Sequence, residues 1–220
     1  MWTVFALLVA PIVAIGAMRW IDPPTTAFVI HARIDGWLAA KPLTIRRTWV
    51  DWDAISPSSK LAVVASEDQR FPEHLGFDLK QIQASLDHAR DGGRLRGAST
   101  ITQQVAKNLF LWPSQNWLRK GIEAYLTLAI ELMWPKQRTL EVYLNVAELG
   151  TGIYGVEAAA QAYFHKPAAR LNAPESALLA AVLPSPTRFR ANAPSAYVRS
   201  RQAWILTQMR RLGPGYLNDL

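Results

Sequence analysis

The chain has 220 residues, half of them hydrophobic, which suits one domain with its own core plus a short additional segment. It contains no cysteine, so disulfides and thiol catalysis are excluded, and its four histidines are too scattered for a histidine-based metal site. The net charge of +7 indicates an anionic partner, and the nine tryptophans and apolar N-terminus favour a membrane over nucleic acid.

Residues 2–18 carry no charge, which predicts a transmembrane anchor at residues 1–20, bent at Pro11. A cleavable signal peptide is the alternative, but no basic segment precedes the apolar run and Asp22-Pro23-Pro24 is a poor cleavage context. By the positive-inside rule, the basic residues after the run argue for a cytoplasmic remainder of the chain: Arg19, Arg33, Lys41, Arg46 and Arg47.

Prolines at positions 23, 24 and 42 predict that residues 21–55 form a connector, with short strands at 26–31 and 43–50. The rest of the chain has mainly helical signals, so the fold class is mainly α. We expect one domain at residues 56–212 and a C-terminal tail at 213–220. Its helices are predicted at residues 56–69, 78–89, 100–110, 115–133, 137–147, 154–164, 173–183 and 195–211.

Three helix starts in this domain have clear capping signals. Ser56 precedes Pro57, which is typical of an N-cap followed by proline at the first helical position. The pairs Thr100/Gln103 and Asn172/Glu175 each predict a capping box.

The first candidate for chemistry is SEDQRFPEHLGFD, residues 66–78, which follows a strongly apolar run. Glu67 would lie at the C-terminal end of an apolar helix, where the macrodipole and desolvation both disfavour the charged carboxylate. Both effects make Glu67 a better proton acceptor than a solvated glutamate. The alternative is an exposed acid pair that ends a helix, and this stretch alone leaves both interpretations open.

The second candidate is GASTITQQVAKN, residues 97–108, in which polar side chains share one side of a helix. Thr100, Gln103 and Lys107 fall on one face, with Gln104 and Asn108 beside it. Such a stripe at a helix N-terminus suits phosphate or sugar hydroxyls, whereas a solvated face more often carries glutamate and lysine. The glycines and arginines at residues 92–97 predict a mobile basic loop before it.

The third candidate is RKGIE, residues 119–123. Arg119 and Glu123 lie one helical turn apart, so spacing alone favours an ordinary intrahelical ion pair.

In order along the chain, EDQRFPEHLGFD, GASTITQQVAKN, RKGIE, LEVYLNVAELG and AAAQAYFHK resemble the five motifs of the family 51 peptidoglycan glycosyltransferases. The resemblance implies a lysozyme-like glycosyltransferase domain with a small membrane-facing jaw lobe, preceded by one transmembrane helix. It also implies polymerisation of lipid II, an undecaprenyl-diphosphate-linked disaccharide pentapeptide, into β-1,4-linked glycan. The catalytic domain would then lie on the periplasmic side of the inner membrane, and this expectation overrides the arginine count.

The resemblance also assigns roles to residues. Glu67 resembles the general base that takes the proton of the acceptor sugar's 4-hydroxyl in an inverting reaction. Glu123 resembles a second essential glutamate, which orients cations or helps to bind a divalent ion such as Mg or Mn. Lys107, Arg119 and Lys120 match cations that hold the departing diphosphate. Further matched positions shape the cleft or face the donor: Asp68, Phe71, His74, Gly76, Ser99, Thr100, Gln103, Gln104 and Asn108. No organic cofactor is implied.

Two other functions fit parts of the sequence. A lysozyme-like glycan-cleaving enzyme, either a lytic transglycosylase or a muramidase, would share the fold and the glutamate but would not need the three cations. A membrane-anchored scaffold for other cell-wall synthesis proteins would use the basic surface for docking, but would leave Glu67 and Glu123 unexplained. For the enzyme, an apolar jaw surface within residues 109–118 is expected to contact the membrane even without the N-terminal anchor.

Overall fold

The computed structural model describes residues 9–93, 99–114 and 116–220 with their side chains, and the backbone of residues 2–8. The described chain is mainly helical, as predicted. Its α-helices are α1 (Trp2–Met18), α2 (Ala27–Leu38), α3 (Pro57–Glu67), α4 (Leu79–Arg90), α5 (Ile101–Phe110), α6 (Trp117–Met133), α7 (Lys136–Val146), α8 (Val156–Phe164), α9 (Ala173–Val182) and α10 (Ala196–Leu212).

A small sheet and two 3-10 turns complete the described part of the fold. The sheet has the strand order β1 (Arg46–Arg47), β3 (Ile153–Tyr154), β2 (Glu148–Gly150). Strand β1 runs parallel to β3, and β2 runs antiparallel to it. The sheet therefore joins the connector to the segment between α7 and α8. The 3-10 turns lie at Trp52–Ala54 and Ala168–Arg170.

The predicted strand at 26–31 is wrong, because helix α2 occupies this region. Thr26 caps the helix, its Oγ1 accepting a hydrogen bond from the Val29 N–H at 3.1 Å. A short apolar run with a β-branched residue fits a buried helix face as well as a strand, and packing of α2 against α5 decides for the helix. The predicted strand at 43–50 is confirmed only as the two residues of β1.

The predicted helices from residue 56 onward are confirmed, with ends within two residues of the expected positions. Ser56 accepts from the Ser59 N–H at 3.1 Å, and both predicted capping boxes are present. In the predicted basic loop, Arg94, Arg96 and Gly97 lie outside the described residues.

The core of the domain is formed by α3, α5, α7, α9 and α10. Helix α3 packs on α9 and α10, and α5 packs on α6 and α7. Within α3, Ala62, Val63, Val64 and Ala65 are all buried in this core. The apolar run before Glu67 therefore fixes α3 inside the domain and brings its last residue to a defined place.

The end of α1 and the residues after it are bound to the helical domain. Trp134 Nε1 donates a hydrogen bond to the Ile15 carbonyl at 2.7 Å. The Arg138 guanidinium donates to the Met18 carbonyl at 3.0 Å and pairs with Asp22 at 3.0 Å. In the described part of the chain, no helix is both long and apolar enough to cross a membrane. The anchor at residues 1–20 stays a prediction.

Gly76 lies where the loop after α3 touches α6 and the start of α5. Its backbone has φ of +78°, and an added Cβ would come within 2.8 Å of Glu131 Cγ and 2.9 Å of Thr127 Cγ2. Its carbonyl also accepts a hydrogen bond from Thr100 Oγ1 at 2.6 Å. Both the backbone conformation and the available space therefore require glycine here.

We expect Gly76→Ala to lower the free energy of unfolding by about 2–5 kcal/mol. A left-handed backbone costs an L-residue about 1–2 kcal/mol, and overpacking adds about 1–3 kcal/mol. Urea unfolding in detergent, followed by circular dichroism, measures the change. Gly92→Ala is the matched control, because Gly92 has φ of +82° but no described atom within 4 Å of an added Cβ. Equal losses in the two variants would contradict the tight contact with α6.

Candidate active site

Two clefts in the described structure lie side by side and share Ser99 and Gln104. The first, of about 880 Å³, is called the cation cleft; its other lining residues are Phe28, Gln103, Lys107, Pro113, Ser114, Asn116, Trp117, Arg119, Lys120 and Glu123. The second, of about 750 Å³, is called the carboxylate cleft; its other lining residues are Ser66, Glu67, Asp68, Gln69, Arg70, Asp78, Lys80, Gln81, Pro184, Arg201 and Trp204. The start of α5 thus borders both clefts.

Glu67 is the last residue of α3 and lies half-buried in the carboxylate cleft. Each carboxylate oxygen has one hydrogen-bond donor. Ser66 Oγ donates to Oε1 at 3.1 Å, and Gln104 Nε2 donates to Oε2 at 3.0 Å. The backbone of Ser66 is itself held by Arg201, whose guanidinium donates to its carbonyl at 3.1 Å. Glu67 is therefore oriented by its neighbours and still accessible from the cleft.

Asp68 borders the same cleft, but both of its oxygens are engaged within the protein. Oδ2 accepts the Ile101 N–H at 3.0 Å, and Oδ1 lies 2.8 Å from His74 Nε2. The residue as a whole is only 1% exposed. Asp68 therefore ties the first turn of α5 to the end of α3, and the two predicted motifs meet at this carboxylate.

Several residues predicted to contact substrate are buried or hydrogen-bonded within the protein. Phe71 is fully buried in the core, and Thr100 bonds to the Gly76 carbonyl and caps α5. Asn108 is also buried. Five of the predicted site residues are not among the described residues that line the two clefts: Phe71, His74, Gly76, Thr100 and Asn108. Their contact with substrate stays a prediction.

Glu123 lies at the centre of a charged cluster on α6. Its carboxylate is 3% exposed, lies 2.5 Å from Lys120 Nζ and accepts from the Arg119 guanidinium at 3.4 Å. The predicted pairing of Arg119 with Glu123 is confirmed, and Lys120 shares the same carboxylate. Two cations on one carboxylate leave a net positive charge that faces the cation cleft.

Lys107 faces the same cleft from α5. Burial lowers the pKa of its ammonium; the nearby Glu123 raises it, and Arg119 lowers it further. Nζ lies 5.6 Å from the centre of the Phe28 ring, and within the described residues it donates no hydrogen bond. A half-buried ammonium that has a lowered pKa and donates no hydrogen bond to the described residues is well suited to bind an anionic ligand.

The sequence motifs did not identify four residues that shape the clefts. Phe28 comes from α2, and Arg201 and Trp204 come from α10. Tyr143, from α7, donates a hydrogen bond from its hydroxyl to Gln104 Oε1 at 3.0 Å. The only sequence signal for Tyr143 was its place in the motif LEVYLNVAELG, which does not reveal what its hydroxyl contacts.

The described side chains do not form a metal site of their own. They contain no group of three or more His, Asp or Glu residues that could hold a metal ion. The carboxylate of Glu123, the residue expected to help bind one, already holds two cations.

Comparisons with known proteins agree with the resemblance that the motifs indicate. A family model described as Transglycosylase matches residues 37–210, which include helices α3 to α9 and most of α10. A relative from Pseudomonas putida (strain W619) is 51% identical over 210 residues, covering 95% of this chain and 89% of the relative. A relative from Salmonella agona (strain SL483) is 59% identical over 192 residues, covering 86% and 79% respectively. Both are named biosynthetic peptidoglycan transglycosylase.

Two lysines of the cation cleft should affect stability differently. We expect Lys107→Met to leave the free energy of unfolding equal or higher, because burial disfavours the charged form in the folded protein. We expect Lys120→Met to lower the melting temperature by roughly 2–4 °C, or about 1 kcal/mol, because buried Glu123 keeps only Arg119. Thermal unfolding at pH 7 measures both, and equal losses would contradict this account.

The pH dependence gives a second measurement on Lys107. Its folded pKa lies below the ordinary lysine value of 10.5, so the unfolded chain binds more protons in that interval. This group therefore makes the wild-type protein more stable as pH rises from the lowered pKa towards 10.5. Lys107→Met should lose that increment. Lys120→Met should keep most of it, because burial lowers the pKa of Lys107 most and Lys120 contributes least to the lowering.

Proposed function

The chain belongs to the transglycosylase family and is a glycosyltransferase of peptidoglycan synthesis, and on that basis we propose that its two clefts separate donor from acceptor. The observation that carries this proposal is the 3.0 Å hydrogen bond between Gln104 and Glu67 at the junction of the clefts. A carboxylate lies on one side of this junction, and three cations lie on the other. The substrates would be lipid II and the growing glycan chain.

The cation cleft suits the donor, the growing chain with its lipid diphosphate. Lys107, Arg119 and Lys120 line it together. Charge that develops on a departing diphosphate is stabilised by preorganised cations in a partly dehydrated site. Glu123 holds Arg119 and Lys120 in place, which supports its proposed role as the residue that orients these cations.

The carboxylate cleft suits the acceptor, lipid II. Its 4-hydroxyl would lie against Glu67, which takes the hydroxyl proton as the oxygen attacks the donor's anomeric carbon. The new bond joins that carbon to O4, and the bond to the diphosphate oxygen breaks with its electron pair. Attack opposite the leaving group converts the α-linked donor into a β-1,4-linked product, with release of undecaprenyl diphosphate.

A single general base is sufficient for this reaction. A glycosidase protonates a poor leaving group and needs a second carboxyl group as acid. In the carboxylate cleft, Asp68 has both oxygens bonded, and Asp78 binds Arg70 and caps α4. Neither carboxylate is placed as a free acid, which supports transfer over hydrolysis by a glycosidase that needs two carboxyl groups.

Exposed apolar side chains near the cation cleft suit a membrane surface. Trp117 and Leu118 are 92% and 73% exposed, and Leu132 on the same helix is 77% exposed. In contrast, Leu109 and Leu111 of the predicted membrane-contact region are buried. We place Trp117 and Leu118 in the outer leaflet of the inner membrane, with the catalytic domain periplasmic and the diphosphate at headgroup depth.

A divalent cation would depend on the substrate for most of its ligands. Mg²⁺ commonly binds through one or two carboxylates, water and substrate phosphates. Among the described residues that line the cation cleft, the carboxylate is that of Glu123, and a bound ion would add positive charge there.

We expect Glu67→Gln to fold and bind lipid II but to lose polymerisation by about 10²–10⁴-fold, because the amide cannot accept the proton. Glu73→Gln is the matched control, since Glu73 lies in the loop that follows Glu67 and its side chain is 53% exposed in a surface pair with Arg70. Polymerisation of fluorescent lipid II, resolved by gel electrophoresis, measures both. A Glu67→Gln rate within about tenfold of wild type would exclude general-base catalysis by Glu67.

The reaction direction is tested with two substrates. Wild-type protein receives lipid II in one tube and purified, lipid-free glycan strands in the other. We expect muramidase-sensitive polymer from the first tube and no shortening in the second, because free glycan offers no diphosphate to the three cations. Shortened strands without polymer would overturn the transferase and favour a glycan-cleaving enzyme.

A further inference from the structure

The hydroxyl of Tyr143 is a buried polar group that the proposed reaction does not use directly. Tyr143 lies in α7 and is 1% exposed. Its hydroxyl donates to Gln104 Oε1 across the contact between α7 and α5. Burial, with Glu67 and Asp68 nearby, raises the pKa of Tyr143 well above its ordinary value. The hydroxyl therefore keeps its proton at neutral pH and acts as a donor.

The Gln104 amide has two distinct ends, and its orientation determines what Glu67 meets. In the structure, Nε2 donates to Glu67 Oε2 at 3.0 Å while Oε1 accepts from Tyr143 at 3.0 Å. A flipped amide would place Oε1 against the carboxylate, so that two acceptors would face each other. It would also leave the tyrosine hydroxyl proton without an acceptor among the described residues. Both neighbours therefore select the same orientation.

We propose that Tyr143 is a positioning residue for the general base, acting by holding the Gln104 amide so that its N–H donates to Glu67. This inference rests on the proposed function of Glu67. A hydrogen bond to the charged form favours the carboxylate, which must be deprotonated before the acceptor hydroxyl arrives. The same bond holds Oε2, so that the remaining lone pairs of Glu67 face the carboxylate cleft in one geometry.

The arrangement extends from the core to the junction of both clefts. Tyr143 is part of the packed interior, and Gln104 is half-buried at the boundary between donor and acceptor sites. Other ionisable groups around Glu67 come from the segment after α3, from α4, α5 and α10: Asp68, Arg70, Asp78, Lys80, Lys107 and Arg201. Loss of the Tyr143 hydroxyl leaves these charges unchanged, so its effect on the base can be measured separately.

The test is Tyr143→Phe, which keeps the buried ring and removes the hydroxyl. We expect KM for lipid II to stay within about twofold while kcat falls about tenfold. We also expect the acid limb of the kcat–pH profile to move to higher pH, because the carboxylate loses support for its charged form. A purely structural role would lower the stability or the amount of active protein without moving the pH profile. Tyr163→Phe is the matched control: this hydroxyl donates to the Leu149 carbonyl at 3.2 Å, away from both clefts.

A second variant tests the same contact from the other side. Gln104→Leu should move the acid limb in the same direction, and the double variant should show no further loss from Tyr143→Phe, because the two groups act through one contact. Unmoved pH profiles in Gln104→Leu, or additive losses in the double variant, would overturn the inference. If wild-type protein polymerises lipid II and Tyr143→Phe does so identically, only this inference fails. If wild-type protein makes no polymer, the proposed function itself fails.

Discussion

The buried carboxylate of Asp68 is the interaction on which the geometry of both clefts depends. It joins the residue after α3 to the first N–H of α5 and to His74 in the intervening loop. A buried carboxylate is stable only when its oxygens accept hydrogen bonds. The hydrogen bond from a backbone N–H also fixes the position of Asp68 relative to α5. Glu67 is the adjacent residue, so the position of the proposed base follows from its neighbour. The contact of Glu67 with Gln104 follows from the same junction, since Gln104 lies one turn into α5.

The cation cleft gives up stability where an anionic ligand would restore it. Lys107 is partly buried with a lowered pKa, and in the described structure its ammonium has no hydrogen-bond acceptor. Arg119 and Lys120 share one buried carboxylate, so their combined charge is only partly compensated. Functional sites commonly retain such unfavourable electrostatics because the ligand supplies the missing charge. The nearby carboxylate cleft shows the opposite condition, with each oxygen of Glu67 and Asp68 receiving a donor.

Under the proposed function, the two clefts give the acceptor and the donor different surroundings. A base must face a hydroxyl without a cation that would hold its charge too tightly, and a departing diphosphate needs cations close by. Helix α5 separates the two, with Lys107 facing one cleft and Gln104 bordering both. The electrostatic influence of Lys107 still reaches Glu67. Lys107 and Glu67 therefore line different clefts, but they still interact electrostatically across α5.

The sequence by itself determined the helical class, the capped helix starts and the chain order of the proposed base and cations. These features depend on residues that are close together in the sequence. A capping box spans four residues, and an apolar run such as Ala62–Ala65 predicts burial without reference to distant residues. Only the tertiary structure decided that residues 27–38 form a helix against α5. It also decided that Asp68 and Thr100 make hydrogen bonds within the protein, and that the Tyr143 hydroxyl contacts Gln104. Each of those outcomes depends on which helix faces each side chain. Helix α5 ends at Phe110 and α7 begins only at Lys136, so the two partners are far apart in the chain. Helix packing sets that choice by burying whole faces together, and no single stretch of sequence contains both partners.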